Sequence, residues 1–267
     1  MERSLQMLIV GERINSSRAA IAQAIDRRDT MIIREEAERQ VAAGAQVLDV
    51  NAGASLETEP QDLAWLVETV QAAVQVPLCL DSPRPEALQA AAAVHRGVPM
   101  VNSITGEEGR LGLVLPVVAE AGASVVALTM DETGMPATAE DRVRVARAIV
   151  ERVTAAGVLL EQVYFDPVIS ALATDHTQGR EVVEAVVRIR REFPEAHIIC
   201  GLSNISFGLP RRQLLNHTFL VMLMAAGLDA AIADPTVEGF AELVVAAEAL
   251  AGRDKFCMAY ISRCRPT

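Results

Sequence analysis

HIICGLSNIS, residues 197–206, reads as a short apolar strand from His197 to Cys200 that runs into a Gly-Leu-Ser-Asn turn. An apolar strand without alternation suits a sheet buried on both faces. The turn sets Ser203 and Asn204 just beyond the strand's carboxyl end. An Asn there offers a donor and an acceptor to a polar atom above the strand, or it satisfies loop backbone, its common use. The first reading gains weight because several other strands also end in a carboxylate or an amide.

Working outward, strands are expected at MLIVG (7–11), VLDVN (47–51), PLCLD (77–81), PMVNS (99–103), VVALTM (125–130), VYFD (163–166) and AAIAD (230–234). Helices are expected near 31–43, stopping at Gly44, and from Thr58, whose spacing to Gln61 suits a capping box with Pro60 tolerated in the first turn. Others follow Ser82-Pro83, run from a Thr138/Asp141 cap to Gly157, and lie near 179–192, 214–226 and 237–251. ITGEEG, after the fourth strand, is a polar loop, and the nearly all-apolar 214–226 must be buried or meet another subunit. Eight strand-helix alternations without a linker or repeat predict an α/β protein, a (β/α)8 TIM barrel forming a single domain over 1–267. An open doubly wound sheet would more often carry a glycine-rich phosphate turn after strand one, where GERIN has one glycine.

Composition fits that fold: 51% of the 267 residues are hydrophobic and only 3% aromatic. A formal net charge of −11 argues against nucleic acid or an anionic membrane as partner. No apolar run approaches the ~20 residues of a membrane span. The start, MERSLQMLIVGERIN, lacks the features of a signal peptide, so a cytoplasmic protein is expected. Cys79 and Cys200 fall inside strands, no C-x-x-C or H-E-x-x-H occurs, and the four histidines share no ligand spacing, so no metal is expected.

In such a barrel the active site lies at the carboxyl ends of the strands. Those ends carry Asn15, Asp49, Asn51, Asp81, Asn102, Asp166, Asn204 and Asp234, with no Lys or His. Acceptors and amides alone suit a ligand that presents several N–H groups in one plane, as a pterin edge does. Each residue also has a structural use. Asp49 and Asn51 could bridge strand ends, Asp81 could start a helix, Asp166 before Pro167 could close a turn, and Asp234-Pro235 reads as structural.

MLIVGERIN, LDVNAG, PLCLDS, MVNS, ALTM, FDP, GLSNIS and GLDAAIADP, in this order, resemble the methyltetrahydrofolate:corrinoid protein methyltransferases. The resemblance runs from residue 7 to about 251. It implies a TIM barrel related to dihydropteroate synthase, usually homodimeric, with no metal of its own. Its substrates are tetrahydrofolate or methyltetrahydrofolate and a corrinoid carried by a partner protein. Asp81, Asn102 and Asp166 are then expected to hold the pterin, and Asn204 to match a mobile asparagine near N5. Arg212 matches a loop arginine that helps hold folate or corrinoid, while Phe207 departs from an expected glutamine and Ser16 from a frequent glycine.

The implied chemistry is methyl displacement between folate N5 and cobalt. Asn204 cannot act as an acid, so its expected role is electrostatic, with proton delivery shared among water and carboxylates such as Asp166. Dihydropteroate synthase itself should carry a catalytic lysine and an Arg-x-His near the last strand, and neither is present. The remaining rivals are a noncatalytic pterin-binding or docking subunit and a phosphate-binding barrel, the latter lacking a glycine pair after strands seven and eight.

Overall fold

The computed structural model describes residues 6–265; residues 1–5 of the stretch read for a signal peptide lie outside them. The strands are β1 (Leu8–Asn15), β2 (Val47–Asn51), β3 (Leu78–Asp81), β4 (Met100–Thr105), β5 (Ser124–Leu128), β6 (Val163–Asp166), β7 (His197–Ile198) and β8 (Ala230–Ala233). They pair in parallel in the order β7-β6-β5-β4-β3-β2-β1-β8. A bridge from Gly201 to Ile232 and a hydrogen bond from Ile232 N to Cys200 O (3.0 Å) bring the two ends of the sheet together. The result is a nearly closed (β/α)8 TIM barrel, as the alternation of elements predicts.

The helices around it are α1 (Ala19–Asp26), α2 (Thr30–Ala42), α3 (Glu59–Gln71), α4 (Pro85–Val94), α5 (Glu108–Ala121), α6 (Ala139–Ala155), α7 (Gln178–Glu192), α8 (Arg212–Ala226), α9 (Phe240–Leu250) and α10 (Met258–Cys264). None of the described helices is long and apolar enough to cross a membrane. α5 had no clear helical signature because Gly109, Gly112 and Pro116 interrupt it. The Thr138/Asp141 capping box forms as expected. The Thr58/Gln61 box does not: Thr58 has helical backbone angles (φ −105, ψ −4) where a cap needs an extended residue, and its hydroxyl donates to Asp62 at 2.6 Å.

Two hydrophobic layers follow from the period of two along each strand. One face of each strand packs outward on the helices, where Leu48, Leu78 and Leu80 meet Leu63, Leu66 and Leu88. Burying each such side chain contributes about 1.5–3 kcal/mol. The other face fills the barrel with Val10, Val47, Cys79, Met100, Val126, Ile199 and Ala230. β1 runs on to Asn15 rather than ending at Gly11, with a bulge between Gly11 and Ile14. Gly11 permits a close approach: a Cβ there would lie 2.5 Å from Gln40 Oε1, the atom that accepts from Arg13 N at 3.1 Å.

Candidate active site

The inner layer turns polar one step up each strand. Two residues beyond Cys79, Met100 and Tyr164 stand Asp81, Asn102 and Asp166; two beyond Val47 stands Asp49, and two beyond that Asn51. The alternation that points the core residues inward therefore points these inward as well, at the carboxyl end of the barrel.

Four of them lie together across β2, β3 and β4 as a net of two hydrogen-bonded pairs. Asn102 Nδ2 donates to Asp49 Oδ1 (3.2 Å), and Asn51 Nδ2 donates to Asp81 Oδ2 (3.1 Å) and to its carbonyl (3.2 Å). Ser16 Oγ donates to Asn51 Oδ1 at 2.8 Å, which fixes the orientation of that amide. The corner under Asp81 is braced: Ser82 Oγ donates to the fully buried Glu59 (2.6 Å), and Arg110 donates to the carbonyls of Ser82, Pro83 and Ser103. Burial and the neighbouring Asp81 push the Asp49 carboxyl well above the usual carboxylate range. Burial, opposed by the Asn51 hydrogen bond, leaves Asp81 at about 6.

Asp166 stands apart on β6. Its carboxyl accepts from Val168 N (2.8 Å) and from the backbone of Gly201, which begins the turn that carries Asn204. Burial outweighs these bonds and raises it to about 6. The following turn is strained, since Val168 is β-branched with φ +51. Arg142, fully buried, holds that turn by donating to the carbonyls of Pro167 (2.5 Å) and Val168 (3.0 Å), and Gln178 fixes the guanidinium at 2.8 Å.

Asn204 lies in a short 3₁₀ turn, Leu202–Asn204, with its side chain exposed. Among the described residues no hydrogen bond links Asn204 or Asp166 to the Asp49–Asp81 net. Arg212 braces the Asn204 turn by donating to Ser203 O (2.6 Å) and Ser206 Oγ (3.1 Å). Phe207, 68% exposed, closes the same turn by donating its N–H to Asn204 O at 3.1 Å. Asn15 is used locally, its Oδ1 accepting from Ser17 N at 3.0 Å. Asp234 is an anchor, pairing with Arg13 (2.5 Å) and capping Thr236.

Three residues that sequence reading did not single out complete the mouth. Glu12, Asn216 and His217 line a pocket of about 260 Å³ beside Ser203 and Arg212. Burial and Asp234 raise the Glu12 carboxyl. Its signal was its place two residues after the inward Val10, hidden by ending the strand at Gly11. His217, approached from α8 rather than from a strand end, shares a helix face with Gln213 at i, i+4. The described residues contain no group of three or more His, Cys, Asp or Glu that could hold a metal ion.

A parallel barrel whose mouth is lined by amides and carboxyls defines a pterin-binding TIM barrel. The family model "Pterin binding enzyme" matches residues 11–234. The chain belongs to that family, and within it to the methyltransferases. It is 37% identical over 256 residues to the methylcorrinoid:tetrahydrofolate methyltransferase of Eubacterium limosum, covering 95% of this chain and 94% of that protein. It is 32% identical over 239 residues to methionine synthase of Mycobacterium tuberculosis, covering 85% of this chain and 20% of that longer protein. The fold is that of dihydropteroate synthase. The Yersinia pestis enzyme with a pterin-sulfa conjugate superposes with TM-score 0.71 at 18% identity, covering 93% of this chain and 94% of that one. The Coxiella burnetii enzyme with pteroic acid gives 0.72 at 15% identity, covering 92% and 94%.

Proposed function

We infer that the protein transfers a methyl group between N5 of methyltetrahydrofolate and the cobalt of a corrinoid carried by a partner protein. The observation that carries this reading is the inward polar step Asp81, Asn102 and Asp166 above the barrel core. The full-length similarity to a methylcorrinoid:tetrahydrofolate methyltransferase supports the substrate pair. Asp81 and Asp166 accept from the ring N–H and amino groups of the pterin, and Asn102, oriented by Asp49, pairs with its remaining polar edge.

The exposed side chain of Asn204 has no hydrogen-bond partner among the described residues, so its amide can hydrogen-bond at N5 when the turn closes over folate. An amide cannot give up a proton at this pH. Its contribution is to stabilise charge developing at N5, while water and a carboxyl near neutrality, Asp166, share the proton. The corrinoid supplies the cobalt that takes or returns the methyl group. Phe207 offers it an apolar contact at the rim. We place the enzyme in the cytoplasm as a homodimer, with the exposed Leu214 and Met222 of α8 as surface for a second copy.

Two measurements test this reading. Calorimetry with methyltetrahydrofolate, without added metal or flavin, should show binding, and no heat at millimolar ligand refutes it. Single-turnover assay with a cobalt(I) corrinoid protein should show loss of the cobalt(I) absorbance. Binding without transfer would make the protein a folate-docking subunit instead.

A further inference from the structure

Glu12 has no part in holding the pterin, yet β1 keeps it at the mouth, two residues after the inward Val10. Among the described residues it makes no ion pair. The nearby Arg13 is taken up by Glu36 (2.6 Å) and Asp234 (2.5 Å), and Arg18 acts on Glu12 only through space. A carboxyl drawn out of water without a paired cation is costly, so the position asks for a use. Its hydrogen-bond partner is Ser203, whose hydroxyl donates to it. Burial and Asp234 raise the Glu12 carboxyl against that bond.

Ser203 is the residue just before Asn204. Leu202, Ile205 and Ser206 are buried on either side of the two. Asp166 holds Gly201 at the base of the turn, Arg212 holds the Ser203 carbonyl (2.6 Å), and Glu12 holds the Ser203 hydroxyl. The Asn204 side chain, by contrast, is exposed and has no hydrogen-bond partner among the described residues. The hold from Glu12 comes from β1 and passes β8, which lies between β1 and the end of β7 where the barrel closes. Glu12 also acts on the other half of the site: after burial and Asp81, it adds to what raises the Asp49 carboxyl. It is felt on both sides, by the pairs on β2–β4 and by the turn that carries Asn204.

We propose that Glu12 is a positioning residue for methyl transfer, fixing the turn through Ser203 so that only the Asn204 amide has to swing to reach N5. This rests on the methyl-transfer reading above. A side chain that moves on a fixed turn arrives in one orientation, whereas on a loose turn it must find that orientation each time. The bond to Ser203 is made before substrate arrives and serves the amide that acts on the reacting nitrogen. Its loss therefore falls on the rate and leaves folate affinity in place. Glu12→Gln keeps an oxygen that accepts from Ser203, and Glu12→Ala does not.

The test is single-turnover methyl transfer to a cobalt(I) corrinoid protein at saturating methyltetrahydrofolate, with Kd from calorimetry on the same intact proteins. Glu12→Ala should slow transfer at least about 5-fold, the size of one hydrogen bond, while Kd moves less than about 2-fold. Glu12→Gln should recover most of the rate. Ser203→Ala should slow transfer as Glu12→Ala does, and the double variant should be no slower than either, since both remove one bond. In an Asn204→Ala background, Glu12→Ala should slow transfer no further. Ser203→Ala carries the same comparison if Glu12→Ala fails to fold. A wild-type rate in Glu12→Ala overturns the role, as does a Kd that rises in step with the loss of rate. Glu12→Gln as slow as Glu12→Ala, or a full further loss in the Asn204→Ala background, also overturns it and makes Glu12 act apart from the amide. Each of these leaves methyl transfer standing. No transfer by the wild type overturns the methyl-transfer reading and this role together.

Discussion

Asn102 on β4 donates to Asp49 on β2 at 3.2 Å, a bond that passes over the end of β3 and ties two strands that are not neighbours in the sheet. It holds the Asn102 amide in one orientation beside Asp81, its register partner on β3. Asp49 is itself buried, and on the folate reading it serves as a positioning residue for Asn102 rather than as a ligand contact.

Asp49→Ala should therefore weaken methyltetrahydrofolate binding by losing the orientation of Asn102. The loss of one such hydrogen bond is worth about 0.5–1.5 kcal/mol, a roughly 2- to 13-fold rise in Kd by calorimetry. An Asp49→Asn variant, which keeps an acceptor for the Asn102 amide, should recover most of it. Equal affinity in Asp49→Ala and wild type would remove the positioning role.

Asp166 makes stability depend on pH. Its folded value of about 6 lies above the ordinary 3.8, so the folded state holds the proton more tightly. Stability from this group is full below pH 4 and is lost as pH rises through 6, by about 3 kcal/mol. Asp166→Asn cannot ionise. Relative to wild type it should gain stability between pH 4.5 and 7.5 in urea melts. Parallel pH profiles for the two proteins would contradict the assignment.

The same ionisation should govern the ligand with the opposite sign. On the folate reading, Asp81 and Asp166, both near 6, would accept pterin N–H groups best when ionised. Folate affinity should rise as pH increases from 5 to 7 and level off above. Asp166→Ala, lacking the acceptor, should bind about 5- to 150-fold more weakly at pH 7.5 and show a flatter profile. A wild-type Kd that is constant over this range would speak against acceptors of this kind.

Asn204 should act on the rate more than on binding. A hydrogen bond to developing charge is worth about 1.5–3 kcal/mol, so single-turnover methyl transfer in Asn204→Ala should slow about 10- to 150-fold at saturating folate. Asn204→Asp, similar in size but without the amide donor, should be no better. Stopped-flow loss of cobalt(I) reads both. Wild-type rates in both variants would make Asn204 a loop residue only.

Gly11→Ala tests the packing beneath the mouth. The added methyl falls 2.5 Å from Gln40 Oε1 and 3.0 Å from Leu48 Cδ2, so Gln40 must release Arg13 N. Overpacking of this kind costs about 1–3 kcal/mol. A lowered urea midpoint with unchanged slope is expected, and an unchanged midpoint would show that Gln40 moves freely.

The barrel and the line of residues Asp81, Asn102 and Asp166 were legible in the sequence because both follow from local patterns. Strands that are apolar throughout need helices on one face and a filled barrel on the other, and period-two alternation carries the inward face up to its polar ends. Arg142 was not legible: only the approach of α6 to the β6 exit turn places its guanidinium under Pro167 and Val168. Nor was the unformed cap at Thr58, where a sequence spacing met a backbone already helical. Tertiary structure alone decided which amide faces which carboxyl, how far each carboxyl titrates, and that α8 joins the mouth through Asn216 and His217. The physical reason is range. Strand alternation acts between residues two apart, whereas burial and hydrogen bonding at the mouth act between residues far apart in the chain, Asn102 with Asp49 and Asp166 with Gly201 among them.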